Sequence, residues 1–334
     1  MIITRTPLRI TLGGGGTDLP SYYRERDGGF LVAAAITKYV FIAVNRNFDG
    51  DYLLKYSQIE RFDDPNDAEH RLLREILLVS ELPAGVEISS MADIPAGTGL
   101  GSSGAFTVGA LQALCAHRRE HLSNLELAEL ACHVELERLG EPIGKQDQYI
   151  AAVGGLTAFS FEPDESVRVL PLDLSPETRD RIEDNLLLFY TGIRRSASEV
   201  LAIETARGDS PSGSVGDLAA NLDANLDAVK ALGHETAKAL EAGDLDHFGA
   251  LLTEQWARKL ERSPTAVHQR VDRWIRAGLE AGALGGKLVG AGDGGFLLFY
   301  AESKADIRDA MAREGLDEVR FGIDYLGATI IVTG

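Results

Sequence analysis

Cysteine is nearly absent from this chain. Only Cys115 and Cys132 occur in 334 residues, both inside apolar helical patterns, so no disulfide framework can form and a reducing compartment, the cytoplasm, is expected. Long apolar runs are also missing. No stretch approaches the roughly 18 residues that would suggest a membrane span, and Met1 to Ile10 reads as a strand with two arginines, not as an apolar signal core. Positive charge is scarce, with 33 Lys plus Arg against 51 Asp plus Glu and a formal net charge of -18. Such a surface repels phosphodiester backbones and anionic lipid, which argues against nucleic acid and membrane as partners. The seven histidines are scattered without the spacing of a histidine metal site.

What remains is an ordinary globular composition, 45% hydrophobic and 25% charged, long enough for two domains. The pattern is α+β. Ile2 to Leu12, Phe30 to Asn45 and Val86 to Met91 read as strands, and Ala68 to Val79 as a helix. Ser102 opens an alanine-rich helix, and Ser123 with Glu126 makes a capping box before Leu125 to Leu139. The strands Leu156 to Phe161 and Val167 to Leu172 lead to Ser175-Pro176, a polar break that places the domain boundary between 174 and 175, giving domains 1–174 and 175–334. The second half opens with a strand over Asn185 to Tyr190. Helices are expected over Ser196 to Ala206, Ser214 to Ala242, Leu245 to Leu260, Pro264 to Ala281 and Lys304 to Glu314. Strands return at Gly286 to Val289, Gly295 to Tyr300 and Ala328 to Val332.

The feature richest in chemical information is Pro95-Ala96-Gly97-Thr98-Gly99-Leu100-Gly101-Ser102-Ser103-Gly104-Ala105, a glycine-rich turn running from a strand directly into a helix. Glycines admit a ligand close to the backbone, and the free N–H groups and macrodipole of the first helical turn favour an anion, so a phosphate chain is the expected occupant. An ordinary capped helix after a glycine turn is the plainer alternative. Neither a Walker A lysine nor a clean dinucleotide-binding glycine triplet is present. Ser102 or Ser103 could cap the helix and give an oxygen to Mg²⁺.

Glu135 lies twelve positions before Asp147 in Gly144-Lys145-Gln146-Asp147-Gln148. Its helical neighbours Ala128, Ala131, Cys132 and Leu139 are small or apolar, whereas Glu137 is flanked by His133, Gly140 and Glu141, so Glu135 is the inward-facing glutamate. An inward carboxylate requires a cation or hydrogen-bond donors; a metal is one solution and an arginine another. Asp147 reads either as a reacting carboxylate or as a helix cap. At the other end of the first domain, Pro7 to Asp18 is a strand ending in Gly13-Gly14-Gly15-Gly16-Thr17-Asp18, costly in chain entropy unless a ligand presses on that backbone or a flexible turn is wanted. Gly290-Ala291-Gly292-Asp293-Gly294-Gly295-Phe296 alternates glycines between two strands, as a ligand loop or a hairpin would.

These four segments, in this order, resemble the GHMP kinase superfamily over nearly the whole chain. The resemblance implies a two-domain fold, with an N-terminal domain like ribosomal protein S5 domain 2 and a C-terminal ferredoxin-like α/β sandwich. It implies ATP and Mg²⁺ as cofactors, Pro95, Gly97, Gly99, Leu100, Gly101, Ser102, Ser103 and Gly104 as phosphate-binding residues, and Glu135 with Ser103 or Ser102 as metal ligands. Asp147 and Arg9 take the catalytic roles. The substrate side comprises Arg9, Gly14, Gly15, Gly16, Thr17, Asp18 and Gln146, together with Gly292 and Asp293. Leu12 to Asp18, Gly144 to Tyr149 and Gly290 to Phe296 look most like the D-glycero-D-manno-heptose 7-phosphate kinases, which phosphorylate an anomeric hydroxyl; galactokinases instead carry Glu-His before Thr-Asp, where this chain has Gly15-Gly16. A substrate that already bears a phosphate needs cations, and Arg194-Arg195 is the candidate clamp. The implied partner is a small sugar or sugar phosphate, with a homodimer left open. Other GHMP small-molecule kinases acting on hexose, fucose or mevalonate, and a catalytically silent regulator on the same fold, are the alternatives.

Overall fold

A computed structural model describes residues 1–193, 215–262, 265–290 and 294–334. Its frame is a long antiparallel pair, β1 (Ile2–Gly13) and β2 (Gly29–Arg46). The two halves of β2 have different neighbours. Gly29 to Ala34 pair with β6 (Leu156–Phe161), whereas Val40 to Arg46 pair with β5 (Val86–Ala92). The sequence anticipates the change, because Phe30 to Ile36 are all apolar and buried, while the later half alternates buried Val40, Ile42 and Val44 with less buried neighbours. In β1 the register slips at Pro7, which has no N–H to offer the ladder.

The hairpin β3 (Tyr52–Lys55) and β4 (Ile59–Phe62) extends the sheet beyond β5, and β7 (Val167–Pro171) extends it beyond β6. On this sheet pack α3 (Ser102–His117) and α5 (Gln146–Val153), preceded along the chain by α1 (Pro20–Tyr23) and α2 (Arg71–Ser80). Helix α3 approaches closely because Gly109 stands where a Cβ would meet Thr6 Oγ1 at 2.6 Å, and Thr4 Oγ1 donates to the Gly109 carbonyl at 2.9 Å. Between α3 and α5 runs α4 (Asn124–Cys132), started by the Ser123–Glu126 capping box. It continues not as α-helix but as a π-helical stretch over His133–Arg138.

The second half follows α6 (Pro176–Asn185), whose start is Ser175-Pro176: the expected break is the cap and first residue of a helix. A second antiparallel sheet has the order β11 (Asp317–Glu318), β8 (Leu186–Tyr190), β10 (Phe296–Tyr300), β9 (Gly285–Val289). Around it lie α7 (Val215–Ala242), α8 (Leu245–Arg262), α9 (Ala266–Glu280) and α10 (Ala305–Arg313), with a small core of its own built on Phe189, Trp256, Trp274 and Phe299. Several contacts bind the halves together, among them the following. Helices α7 and α8 pack on β1, and the last strand, β12 (Thr329–Thr333), returns to pair with β1 as an edge of the first sheet. The architecture is mixed α+β. Among the described residues no helix is long and apolar enough to cross a membrane.

Candidate active site

The glycine-rich loop reaches α3 through Gly101, a left-handed capping residue at φ 74° that offers no side chain, so no side-chain cap occupies the N–H groups of Ser102, Ser103 and Gly104. A helix of 16 residues thus presents an open, positively polarised start. Pro95 accepts from Thr98 Oγ1 at 3.0 Å, which closes the first turn of the loop across Gly97.

Arg9, buried on β1, ties this start to its surroundings. Its backbone N–H donates to Leu100 O at 2.9 Å, its Nη1 to Gly99 O at 2.6 Å and its Nε to Asp147 Oδ1 at 2.7 Å. The Arg9 side chain is 8% exposed and that of Asp147 28%, so the cation stands behind the carboxylate and leaves part of it open to solvent. Asp147, in the first turn of α5, comes this close because a Cβ on Gly104 would stand 2.8 Å from its own Cβ. Thus the glycine-led helix start, Arg9 and Asp147 converge.

Asp18 is buried beside them and joins two segments. Its Oδ1 accepts from Gly16 N at 3.1 Å and its Oδ2 from Gln146 N at 3.3 Å, while burial and then the negative charge of Asp147 push its carboxyl pKa upward. Gln146 donates from Nε2 to Thr11 Oγ1 at 2.5 Å, and Thr17 Oγ1 to the carbonyls of Gly14 and Phe30 at 2.9 Å each. Gly14, Gly15 and Gly16 therefore form a fixed loop. Lys145 turns away, pairing with Glu165 at 2.7 Å over the Tyr23 ring.

Glu135 sits in the π-helical stretch, 1% exposed, and Glu137 is outside, paired with His133. Such stretches often occur at functional sites because they re-aim one side chain. Ser103 Oγ donates to Glu135 Oε2 at 2.5 Å, and Oε1 is buried without a hydrogen-bond partner. Burial raises this carboxyl to about pKa 7, against the opposing effect of Ser103, Thr107 and Gln148 and with a further push from Asp147. Among the described residues no cation pairs with it, in contrast to Asp147. A buried carboxylate with a spare oxygen beside a hydroxyl at a phosphate-type helix start is the sparse, hard donor set that Mg²⁺ accepts, with phosphates and water completing the shell. Among the described residues no group of three His, Cys, Asp or Glu side chains forms a metal cluster, and an ion shared with phosphates does not require one. Ser102 lies beside Ser103 at the same helix start, but Ser103 is the serine bonded to Glu135.

From the second half, the turn after β9 docks on the loop: Gly290 packs on Gly99, where a Cβ would meet its carbonyl oxygen at 2.4 Å, and Lys259 Nζ donates to Gly290 O at 2.7 Å. Gly292, Asp293, Arg194 and Arg195 lie outside the described residues, as does the expected helix over 196–206. Sequence reasoning missed Thr107 and Gln148 around Glu135, and also Lys287. Lys287 is fully buried on β9, bonded to Gln255 Oε1 at 2.9 Å and Leu12 O at 3.4 Å; burial, then the charges of Lys259 and Arg9, lower its pKa to about 7. A lysine within an otherwise apolar strand was the available signal.

Comparison with known proteins identifies the family. The profile of the GHMP kinases N terminal domain matches residues 68–155, spanning the glycine loop, Glu135 and Asp147, and that of the GHMP kinases C terminal domain matches 236–317. A galactokinase of Thermococcus kodakarensis is 30% identical over 65% of this chain and 67% of its own length. The chain belongs to the GHMP kinases. It is thus a phosphotransferase of a family that uses ATP as donor. Other GHMP kinases match along the full length: D-glycero-alpha-D-manno-heptose 7-phosphate kinase of Campylobacter jejuni is 29% identical over 94% of both chains. The crystal structure of a D-glycero-D-manno-heptose 1-phosphate kinase from Bacteroides thetaiotaomicron superposes with a TM-score of 0.79 at 26% identity, covering 100% of each chain.

Proposed function

We propose that this GHMP kinase transfers the γ-phosphoryl group of ATP to a sugar phosphate, and that its acceptor is the anomeric hydroxyl of D-glycero-D-manno-heptose 7-phosphate, giving the 1,7-bisphosphate. The observation that carries the reading is the convergence of Asp147, backed by Arg9 at 2.7 Å, with the uncapped start of α3. Full-length similarity to a heptose 7-phosphate kinase supports the choice of acceptor.

In this reading the backbone N–H groups from Gly99 to Ser103 hold the β and γ phosphates, and Pro95, Gly97 and Gly104 shape the loop so that phosphate can approach. Asp147 orients the acceptor hydroxyl and takes its proton as the oxygen forms its bond to phosphorus and the bond to the ADP oxygen breaks. Arg9 holds Asp147 in aim, and its charge offsets that of the transferring group. Glu135 and Ser103 would hold Mg²⁺, which when bound neutralises negative charge on the phosphates. Gly14 to Asp18 and Gln146 form the wall against which the sugar lies.

Phosphorus NMR of the products from ATP with heptose 7-phosphate, hexose phosphates, fucose, galactose and mevalonate tests the reading. A new anomeric phosphate resonance from the heptose 7-phosphate reaction, at the highest rate of the panel, is expected. Faster turnover of an unphosphorylated sugar would overturn the acceptor, and ATP binding without any turnover would favour a regulator.

A further inference from the structure

Among the described residues, a cation near the glycine loop stands outside the phosphoryl-transfer groups. Arg262, the last residue of α8, has its Nε buried without a hydrogen-bond partner, and among the described residues no carboxylate pairs with it. In a chain with 51 acidic residues this is unusual: on the same helix Arg258 is held by Glu254 and Glu261, and at the end of α1 Arg26 is held by Asp223 and Asp227. A partly buried guanidinium without a partner carries a desolvation cost that an anion would relieve.

Its position says which anion. Nη1 and Nη2 stand 3.8 and 3.9 Å from the point where a Cβ on Gly16 would lie, beside Leu226 at 3.5 Å, so the guanidinium hangs over the glycine loop at Gly16. Gly16 binds Asp18, Asp18 binds Gln146, and Gln146 precedes Asp147, so one continuous edge runs from Arg262 to the carboxylate of the transfer site. Lys287 lies beneath the end of β1 at Leu12, and its polar contacts are a backbone carbonyl and an amide oxygen. An acceptor lying along this edge has its reacting hydroxyl at Asp147 and its far end at Arg262.

We propose that Arg262 binds the phosphate that the acceptor already carries, and so selects phosphorylated over free sugar. The inference rests on the kinase reading above. A guanidinium fork matches phosphate oxygens in pairs, which a lysine cannot do, so the contact is selective as well as attractive. Arg194 and Arg195 lie outside the described residues, and the geometry at Arg262 stands independently of them.

The test compares the wild-type enzyme and Arg262→Gln on D-glycero-D-manno-heptose 7-phosphate and on D-glycero-D-manno-heptose, both with ATP. The wild type should prefer the 7-phosphate, and Arg262→Gln should shrink that preference roughly 10- to 100-fold, the loss falling on KM for the phosphorylated sugar, with partial recovery in Arg262→Lys. A folded Arg262→Gln enzyme with an undiminished preference overturns the inference and leaves the kinase reading standing. Equal wild-type use of both sugars does the same. Absence of ATP-dependent phosphorylation of either sugar removes the acceptor reading and the inference with it. Should the variant fail to fold, inorganic phosphate on the wild type decides: competition against the sugar supports the site, and no competition sinks it.

Discussion

Glu135 and Asp147 are twelve residues apart in sequence and approach the same helix start, but their surroundings differ. Asp147 is partly open to solvent and rests on a buried arginine; Glu135 is sealed in, faces a serine hydroxyl, and keeps one oxygen without a partner. The first carboxylate has its counter-charge supplied by the fold. The second has none among the described residues, and burial raises its pKa to about 7. Side chains of almost the same chemistry are thereby prepared for different work, one to handle a proton and the other to receive a cation from solution.

The comparison breaks most visibly at Asp147. Replacing it by Asn keeps the shape and removes the base, so kcat should fall by roughly 10²-fold or more with ATP affinity nearly unchanged. Steady-state kinetics beside an ATP-binding isotherm checks this, and near-normal turnover would remove Asp147 from the mechanism.

Glu135→Gln should act on the metal: the Mg²⁺ concentration for half-maximal rate should rise by about tenfold or more, as expected when a charge-assisted contact is lost. An unchanged titration would exclude Glu135 as a ligand. The same variant sharpens the electrostatic half of the comparison. The Glu135 carboxyl titrates near 7 when folded against an ordinary 4.5, so the metal-free fold has this contribution in full below pH 4.5 and loses it as pH rises through 7, by about 3 kcal/mol in all. Cys132, Ser103, Thr107, Gln148 and Asp147 are the groups that face it. In chelator, melting curves from pH 4.5 to 8 should therefore show the wild type losing stability that Glu135→Gln keeps, and Mg²⁺ should restore it. Parallel curves for the two proteins would contradict the assigned environment.

Glu137→Ala is the control two residues away. Its pair with His133 is exposed, so stability should change by no more than about 0.5 kcal/mol, with an unaltered metal titration. A metal defect there would reassign the ligand.

Much of this site was legible because its parts announce themselves locally. Strands β1 and β2 and helix α3 follow from apolar periodicity and a glycine punctuation that few other structures tolerate. Helical spacing around Glu135 selected the buried glutamate of the pair, although the backbone there is π-helical, since Ala128, Ala131 and Cys132 lie in the regular helix before it. The hairpin Tyr52 to Phe62 was not legible: its four-residue strands carry Lys55, Glu60 and Arg61 and show little alternation. Arg262 was not legible either. At the end of a helix a basic residue satisfies the macrodipole, and only the approach of α8 to Gly16, from 246 positions away in the chain, gives it another meaning.

The pairing of Thr329–Thr333 with β1 bears on how the enzyme is made. Ile2 to Arg5 leave the ribosome well before the strand that covers their outer edge, which follows only after more than 320 further residues. Until then the β strand that carries Arg9 shows unpaired N–H and C=O groups to the cell, a template to which other chains can adhere. Deletion of β12 should therefore be felt first as poor yield from nascent-chain aggregation, with the chemistry of whatever folds left intact.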